Sequence, residues 1–128
     1  MPGERAATPH LPYPAVIDTY GAGGFRFAGM SHRGSVLCLP NGVWAIDVAA
    51  ADAIGETELA LILASAPPIE HLLIGTGQDP WLAPDALDTR MRARGIVLET
   101  MTTGAAVRTY NLLLAEGRRI GALLVAVD

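Results

Sequence analysis

Hydrophobic residues are spaced differently in the first third of the chain and in the rest. In the first third, the segments "VIDTYG" and "FRFAG" predict two short strands that the glycines of "GAGG" separate. The apolar segments at 35–39 and 43–48 flank the pair Asn41-Gly42. Because both residues of this pair tolerate positive φ, they predict a turn, and the two segments predict a β-hairpin.

Helical spacing begins near residue 56. Leu59, Ile62, Leu63 and Ala66 recur at helical intervals, and the two prolines that follow predict the end of this helix. The next segment, "EHLLIG", has the apolar run of a buried strand.

A second amphipathic helix is predicted around Leu87 and Met91, which would face the core. Asp88 and Arg92 lie four residues apart on its outer side, where they can form an ion pair. The segment "GIVLE" then predicts another core strand.

The C-terminal part predicts one more helix and one more strand. Thr102 or Thr103 can cap a helix that continues to about Glu116, and Gly117 is expected to end it. Residues 119–127 form a nearly unbroken apolar run, which is typical of a strand in the middle of a sheet. Helices and strands therefore alternate from residue 51 onward, which predicts an α/β fold with right-handed crossovers.

Composition and charge narrow the class of protein. The chain has 128 residues, of which 51% are hydrophobic and 17% are charged, as is typical of one globular domain. Its net charge of -4 argues against a nucleic-acid-binding protein, which needs a basic face. All nine basic residues are arginine, so Schiff-base and P-loop chemistry, which require lysine, are excluded.

Residues 1–15 are predicted to form a flexible, proline-rich arm, and residues 16–128 a single domain. The N-terminus lacks the apolar middle of a signal peptide, and no apolar run has the length of a membrane span. We therefore expect a cytoplasmic protein with no membrane partner.

Cysteine and histidine offer little chemistry. Cys38 is the one cysteine and lies in a predicted strand, so a buried structural thiol is expected. The three histidines fall in different elements and lack the spacing of metal ligands. We predict no bound metal and no cofactor.

The "GTG" segment at 75–77 lies where a strand gives way to a helix, the place where open α/β sheets bind ligands. A dinucleotide fingerprint would need a further glycine where Pro80 stands, so this motif is incomplete. Two interpretations stay open. The glycines either allow a tight turn, or they present backbone amides to a ligand.

The last predicted helix carries Arg108, Tyr110 and Asn111 in its middle. Helical spacing places Asn111 at the edge of the apolar side, whereas Arg108 projects from a different side. Two interpretations stay open: either Asn111 bonds to a neighbouring backbone and Arg108 forms an ion pair, or Arg108 forms an anion clamp with the start of the helix and the amides of the "GTG" turn. We predict that the three residues join the helix to the "GTG" turn and to Glu99 in one polar junction, which is structural first and can bind an anion second. The residues of this candidate ligand site are Gly75, Thr76, Gly77, Glu99, Thr103, Arg108, Tyr110 and Asn111.

The same residues carry a resemblance to a known family. "LLIGTG" and the later "GIVLETMTTGAAVRTYNLLLAEGRRIGALLV" resemble the signature of the Mth-type domain of unknown function. That signature is a strand ending in GTG, then GI-x-x-E-x-M-x-T, then a helix that contains R-T-Y-N and ends in E-G-R. The resemblance covers residues 16–127. Gly104 and Val107 stand where proline and cysteine are frequent in the family, so a role for that cysteine does not carry over.

The resemblance implies a three-layer α/β fold with a central mixed sheet, helices packed on it and an N-terminal β-hairpin region. It implies no established enzyme activity. Relatives include the mitochondrial complex I assembly factor 3, in which the domain works through protein contacts, and the adipogenesis-associated Mth-domain protein.

Two hypotheses follow. The first is a non-enzymatic protein-binding or assembly module with an unidentified protein partner, which the lack of a complete catalytic set favours. The second is an enzyme or binding protein for a small anionic ligand, with its site at the "GTG" turn and the start of the last helix.

Overall fold

The structure, a computed structural model, describes residues 9–128. A short 3-10 turn covers Ala51–Ala53. The strands and helices of these residues, in chain order, are β1 (Thr19–Gly21), β2 (Gly24–Phe27), β3 (Met30–Arg33), β4 (Ser35–Leu39), β5 (Gly42–Ile46), α1 (Glu56–Leu63), β6 (His71–Gly75), α2 (Asp85–Arg92), β7 (Val97–Met101), α3 (Thr103–Ala115) and β8 (Ile120–Leu124).

Five strands form the central sheet in the spatial order β5-β4-β8-β6-β7. β8 pairs antiparallel with β4 and parallel with β6, and β7 pairs parallel with β6, so the sheet is mixed. All five residues of β8 are buried. The prediction that the C-terminal apolar run forms an interior strand is therefore confirmed, although the strand covers only residues 120–124 of that run.

β7 lies at an edge of the central sheet, which corrects the prediction that "GIVLE" forms a core strand. Ile96, just before the strand, is buried in the cluster beneath α2. Val97 faces the opposite side and is 59% exposed. The apolar run is thus divided between two environments, because its neighbouring residues point to opposite sides of a strand that has one strand neighbour.

A separate antiparallel sheet contains β1, β2 and β3. The two-residue loops Ala22-Gly23 and Ala28-Gly29 connect its strands, and all four loop residues have positive φ, as tight hairpins require. The expected N-terminal hairpin region is confirmed. It has one strand more than predicted, because the polar segment Met30–Arg33 lacks the apolar pattern of a strand.

The two faces of the central sheet carry different layers. One face packs against α3 and the small sheet through a cluster that includes Phe27, Tyr110 and Ala122. The other face packs against α1 and α2 through a cluster that includes Ile62 and Met91. The fold therefore has the three layers that were expected.

The helix signals are confirmed for α2 and α3. Asp88 and Arg92 form the predicted ion pair on α2. Thr102 caps α3 by accepting a hydrogen bond from the Ala105 amide at 3.4 Å, and Gly117, with φ of 77°, follows its last turn. α1 ends at Leu63, before the full length of its apolar pattern.

The predicted hairpin of β4 and β5 is present with a shifted turn. Leu39 pairs with Gly42, so the loop is Pro40-Asn41 and Gly42 begins β5. A Cβ on Gly42 would lie 2.7 Å from the Leu11 carbonyl oxygen. The glycine is needed for this close approach of the N-terminal segment.

The N-terminal segment, residues 9–18, covers the outer edge of β5. Leu11 is buried, and its amide and carbonyl exchange hydrogen bonds with Val43 at N–O distances of 3.1 and 2.8 Å. This segment therefore differs from the predicted flexible arm over residues 9–15, because its one leucine reaches the core. Residues 1–8 of the predicted arm lie outside the described residues.

Candidate functional site

Thr103, at the start of α3, connects the "GTG" turn to the end of β8. Its hydroxyl donates to the Val125 carbonyl oxygen at 2.7 Å and accepts from the Gly77 amide at 2.9 Å. The Thr103 amide donates to the Gly77 carbonyl at 3.0 Å. The side chain is 1% exposed, so these bonds are closed to solvent.

Each glycine of this turn is required for a different structural reason. A Cβ on Gly75 would lie 3.0 Å from the Thr103 Cα and 3.1 Å from the Ala106 Cβ, so glycine lets α3 approach the strand. Gly77 has φ of 88°, which glycine adopts without strain. Between them, the Thr76 amide donates a hydrogen bond to the Met101 carbonyl oxygen at 2.8 Å. The tight-turn interpretation therefore accounts for the motif.

Tyr110 and Asn111 bond to the N-terminal segment. The Asn111 amide nitrogen donates to the Ile17 carbonyl at 2.8 Å, and its oxygen accepts from the Ile17 amide at 2.8 Å. The Tyr110 hydroxyl donates to the Ala15 carbonyl at 3.2 Å. This corrects the prediction that both residues join α3 to the "GTG" turn, because the segment before β1 runs along α3 and occupies their polar groups.

Tyr110 also lies beside Cys38, in the core beneath α3. Burial raises the pKa of the Cys38 thiol to about 12, and a hydrogen bond with Tyr110 offsets part of that rise. Burial is also the main cause of the raised pKa of the Tyr110 hydroxyl. The expectation of a buried structural thiol is confirmed.

Glu99 does not join the junction either. Its Oε1 lies 2.7 Å from His71 Nε2, and the two form an ion pair when the imidazole is protonated. The register of β6 and β7 explains this position, since Met101, two residues later, is the residue that pairs with Gly75 at the turn.

Arg108 projects away from all of these groups. It is exposed and, within residues 9–128, its side chain has no hydrogen bond or ion pair. Leu112, four residues later on the same side of α3, is 60% exposed. Sequence reasoning left Leu112 out, although the helical period, which places Leu113 and Leu114 inward, would have placed it outside.

A cavity of about 250 Å³ lies beside the "GTG" turn. Its lining includes Thr76, Gly77, Asp79 and Asp128, and none of the arginines in residues 9–128 belongs to it. In the part of the chain that the structure describes, no three His, Cys, Asp or Glu side chains come together as they would around a metal ion. In the same part, no helix has both the length and the apolar character needed to cross a membrane.

Comparison with known proteins identifies the family of this chain. Residues 17–125 match the family described as "Protein of unknown function (DUF498/DUF598)". The chain is 36% identical over 116 residues to the mouse NADH dehydrogenase [ubiquinone] 1 alpha subcomplex assembly factor 3, covering 90% of this chain and 62% of the relative. It therefore spans less than two-thirds of that relative's length.

Two solved structures show the same fold. A protein from Bartonella henselae, described as an outer membrane protein, is 47% identical and superposes with a TM-score of 0.87, covering 93% of this chain and all of the other. The Mth938-like domain of Bordetella pertussis is 25% identical, with a TM-score of 0.76 over 89% of this chain and 88% of the other. The resemblance to the Mth-type domain is thus confirmed, and the chain belongs to the DUF498/DUF598 family of proteins of unknown function.

Proposed function

We propose that this domain is a non-enzymatic protein-binding module that acts in assembly of a larger complex, and that it binds its partner through the outer side of α3. The position of Arg108 carries the proposal. Its guanidinium is exposed and has no partner within residues 9–128, and the exposed Leu112 lies one turn further along the same side.

This pair of side chains fits the chemistry of a protein interface. Arginine is enriched among the residues that contribute most to binding energy at protein interfaces. An unpaired guanidinium forms strong charge-assisted hydrogen bonds when a partner supplies a carboxylate. The partner segment that we propose therefore carries an apolar side chain next to an aspartate or glutamate.

The N-terminal segment widens this surface. Asn111 holds Ile17 against α3, and a Cβ on Gly104 would collide with the Tyr20 hydroxyl, so the segment follows the helix. Val16 on this segment and Tyr20 in β1 are 44% and 41% exposed. We use the name α3 surface for the set Arg108, Leu112, Val16 and Tyr20.

The named relatives support an assembly role. The mouse relative is called an assembly factor of NADH dehydrogenase, and it shares most of this chain's length. We therefore propose a subunit of a respiratory NADH dehydrogenase as the partner, met on the cytoplasmic side of the membrane.

The alternative proposal, a small anionic ligand at the "GTG" turn, has less support. The Gly77 amide and the Thr103 hydroxyl are bonded to each other, so a ligand would have to displace them. The adjacent cavity carries the carboxylates of Asp79 and Asp128, which repel an anion.

Cross-linking in cells tests the α3 surface directly. A photo-reactive benzoylphenylalanine in place of Leu112 should cross-link to a discrete subunit of the NADH dehydrogenase. The same residue in place of Thr89, exposed on α2, is the matched control and should not. Arg108→Glu should remove the cross-link from position 112. A cross-link that persists in that variant contradicts the proposed contact.

Gene deletion tests the assembly role. Loss of the gene should lower the amount of assembled NADH dehydrogenase on native gels, and the wild-type gene should restore it. Arg108→Glu should fail to restore it, whereas Arg94→Glu, at an exposed arginine after α2, should succeed. An unchanged complex after deletion would rule out this partner.

A further inference from the structure

The outer face of the small sheet, the one formed by β1, β2 and β3, carries two exposed arginines. Paired residues of an antiparallel sheet point to the same side, and alternate residues along each strand share that side. One row across β1, β2 and β3 consists of Thr19, Arg26 and Ser31. The neighbouring row consists of Gly21, Gly24 and Arg33.

These rows lie on the solvent side of the sheet. The alternate positions Phe25 and Phe27 are buried in the core beneath it, whereas Arg26 and Arg33 are exposed. Asp18, the acidic residue nearest in sequence, lies just before β1, and its amide donates to the Arg26 carbonyl oxygen at 2.7 Å. Within residues 9–128 its carboxylate forms no ion pair with Arg26 or Arg33.

Glycine makes this face concave. Gly21 and Gly24 pair with each other and add no side chain to the second row. A Cβ on Gly24 would collide with the His32 carbonyl oxygen, so a larger residue cannot fill the position. A cavity of about 590 Å³ lies at this place and is lined by both arginines and both hydroxyl residues of the rows.

The charges in this cavity are not neutralised. Arg26 and Arg33 are diagonal neighbours across β2 and β3. The backbones of such neighbours are roughly 7–8 Å apart, so both side chains can reach one small anion. Among residues 9–128, neither side chain has a hydrogen bond or ion pair and no carboxylate lines the cavity. Elsewhere in the molecule Arg90, Arg92 and Arg119 are each paired with a carboxylate.

We propose that this glycine-floored cavity is a binding site for a phosphate group, either of a soluble phosphomonoester or of a phospholipid head group. The planar guanidinium donors of Arg26 and Arg33 match the geometry of phosphate oxygens. The hydroxyls of Thr19 and Ser31 flank Arg26 in the register and can donate to the same group. This site goes beyond the proposed function. Tyr20 of the α3 surface also lines the cavity, but neither Arg26 nor Arg33 belongs to that surface.

A titration with inorganic phosphate at constant ionic strength, followed by amide chemical shifts, tests the site. Amides of β1–β3 should shift and saturate, and chloride at the same ionic strength should not move them. Arg26→Gln with Arg33→Gln should weaken binding by about tenfold or more. Arg94→Gln with Arg118→Gln removes two exposed arginines elsewhere and should leave the titration unchanged.

Several outcomes overturn the site. These are small shifts spread over the whole chain, an equal titration in the Arg26/Arg33 double variant, and shifts centred on residues 75–77, which would support a ligand at the "GTG" turn.

Vesicles distinguish the two sources of phosphate. Phosphatidylcholine vesicles with and without phosphatidic acid are sedimented with the protein. Binding that needs phosphatidic acid and is lost in the Arg26/Arg33 double variant assigns the phosphate to a lipid. Phosphate shifts without vesicle binding assign it to a soluble ligand. Vesicle binding that the double variant retains contradicts the site.

Discussion

The two sides of α3 carry neighbouring residues with different tasks. On the inner side, Thr103 is bonded to the "GTG" turn, and Tyr110 and Asn111 are bonded to the N-terminal segment. On the outer side, Arg108 and Leu112 face solvent. Successive helical residues are rotated by about 100°, so residues that adjoin in a motif meet different surroundings. A contiguous motif is therefore not evidence of a single site.

This contrast predicts two kinds of mutational effect. Changes on the inner side should lower the free energy of unfolding, because they leave buried groups without partners. Changes on the outer side should leave that free energy alone and weaken binding.

The largest effect is expected for Asn111→Leu. Both the amide and the carbonyl of Ile17 would lose their hydrogen bonds, so the free energy of unfolding should fall by about 2–3 kcal/mol in urea denaturation. Asn111→Asp is the control, since it keeps the acceptor for the Ile17 amide and should cost less. A loss below about 0.5 kcal/mol for the leucine variant would show that solvent replaces these bonds.

Thr103→Val should lower the free energy of unfolding by about 2 kcal/mol. The valine keeps the shape of the side chain and removes the hydroxyl that the Gly77 amide and the Val125 carbonyl share. Thr103→Ser retains the hydroxyl and should stay closer to the wild type. Equal losses in the two variants would mean that packing, and not hydrogen bonding, holds the turn to α3.

The elements of this part of the molecule could be predicted because their signals are local. Thr102 and Gly117 bound α3, and an apolar run specifies β8, whatever the rest of the chain does. The partners of Tyr110 and Asn111 could not be predicted in this way. They lie 95 and 94 residues earlier, and no local pattern shows which distant backbone groups need a hydrogen bond.

Two further differences have the same cause. The edge position of β7 follows from the order of strands in the sheet, which local hydrophobicity does not encode. The docking of Leu11 depends on the open space above Gly42, which only the tertiary structure creates. The exposure of Arg108, by contrast, follows from the helical period alone.

Alkaline pH should weaken the inner side through Cys38. Its pKa is about 12 in the folded protein and 9.0 ordinarily, so between these values the unfolded chain releases a proton that the folded chain keeps. The thiol's stabilising contribution is therefore complete below pH 9 and decreases above it, by about 1.4 kcal/mol per pH unit.

Urea denaturation from pH 8 to 10 measures this slope. Cys38→Ala should lower stability at every pH by leaving a cavity, but its stability should depend less on pH than that of the wild type. Tyr110, whose pKa is also raised, adds a further decrease in stability at higher pH. Tyr110→Phe removes this contribution and so separates it from that of Cys38. An unchanged slope in Cys38→Ala would assign the alkaline loss to other groups.

Arg108→Glu should have the smallest effect on folding, within about 0.5 kcal/mol, because the wild-type guanidinium has no partner in residues 9–128 to lose. The same change reverses the charge that we propose a partner's carboxylate recognises, so the cross-link from position 112 should disappear. Leu112→Gln keeps the charge of Arg108 and removes the apolar contact, and it should weaken the binding of that partner less than Arg108→Glu does. A loss of stability comparable to that of Asn111→Leu would place Arg108 among the internally bonded residues, and the two sides of α3 would then not differ in kind.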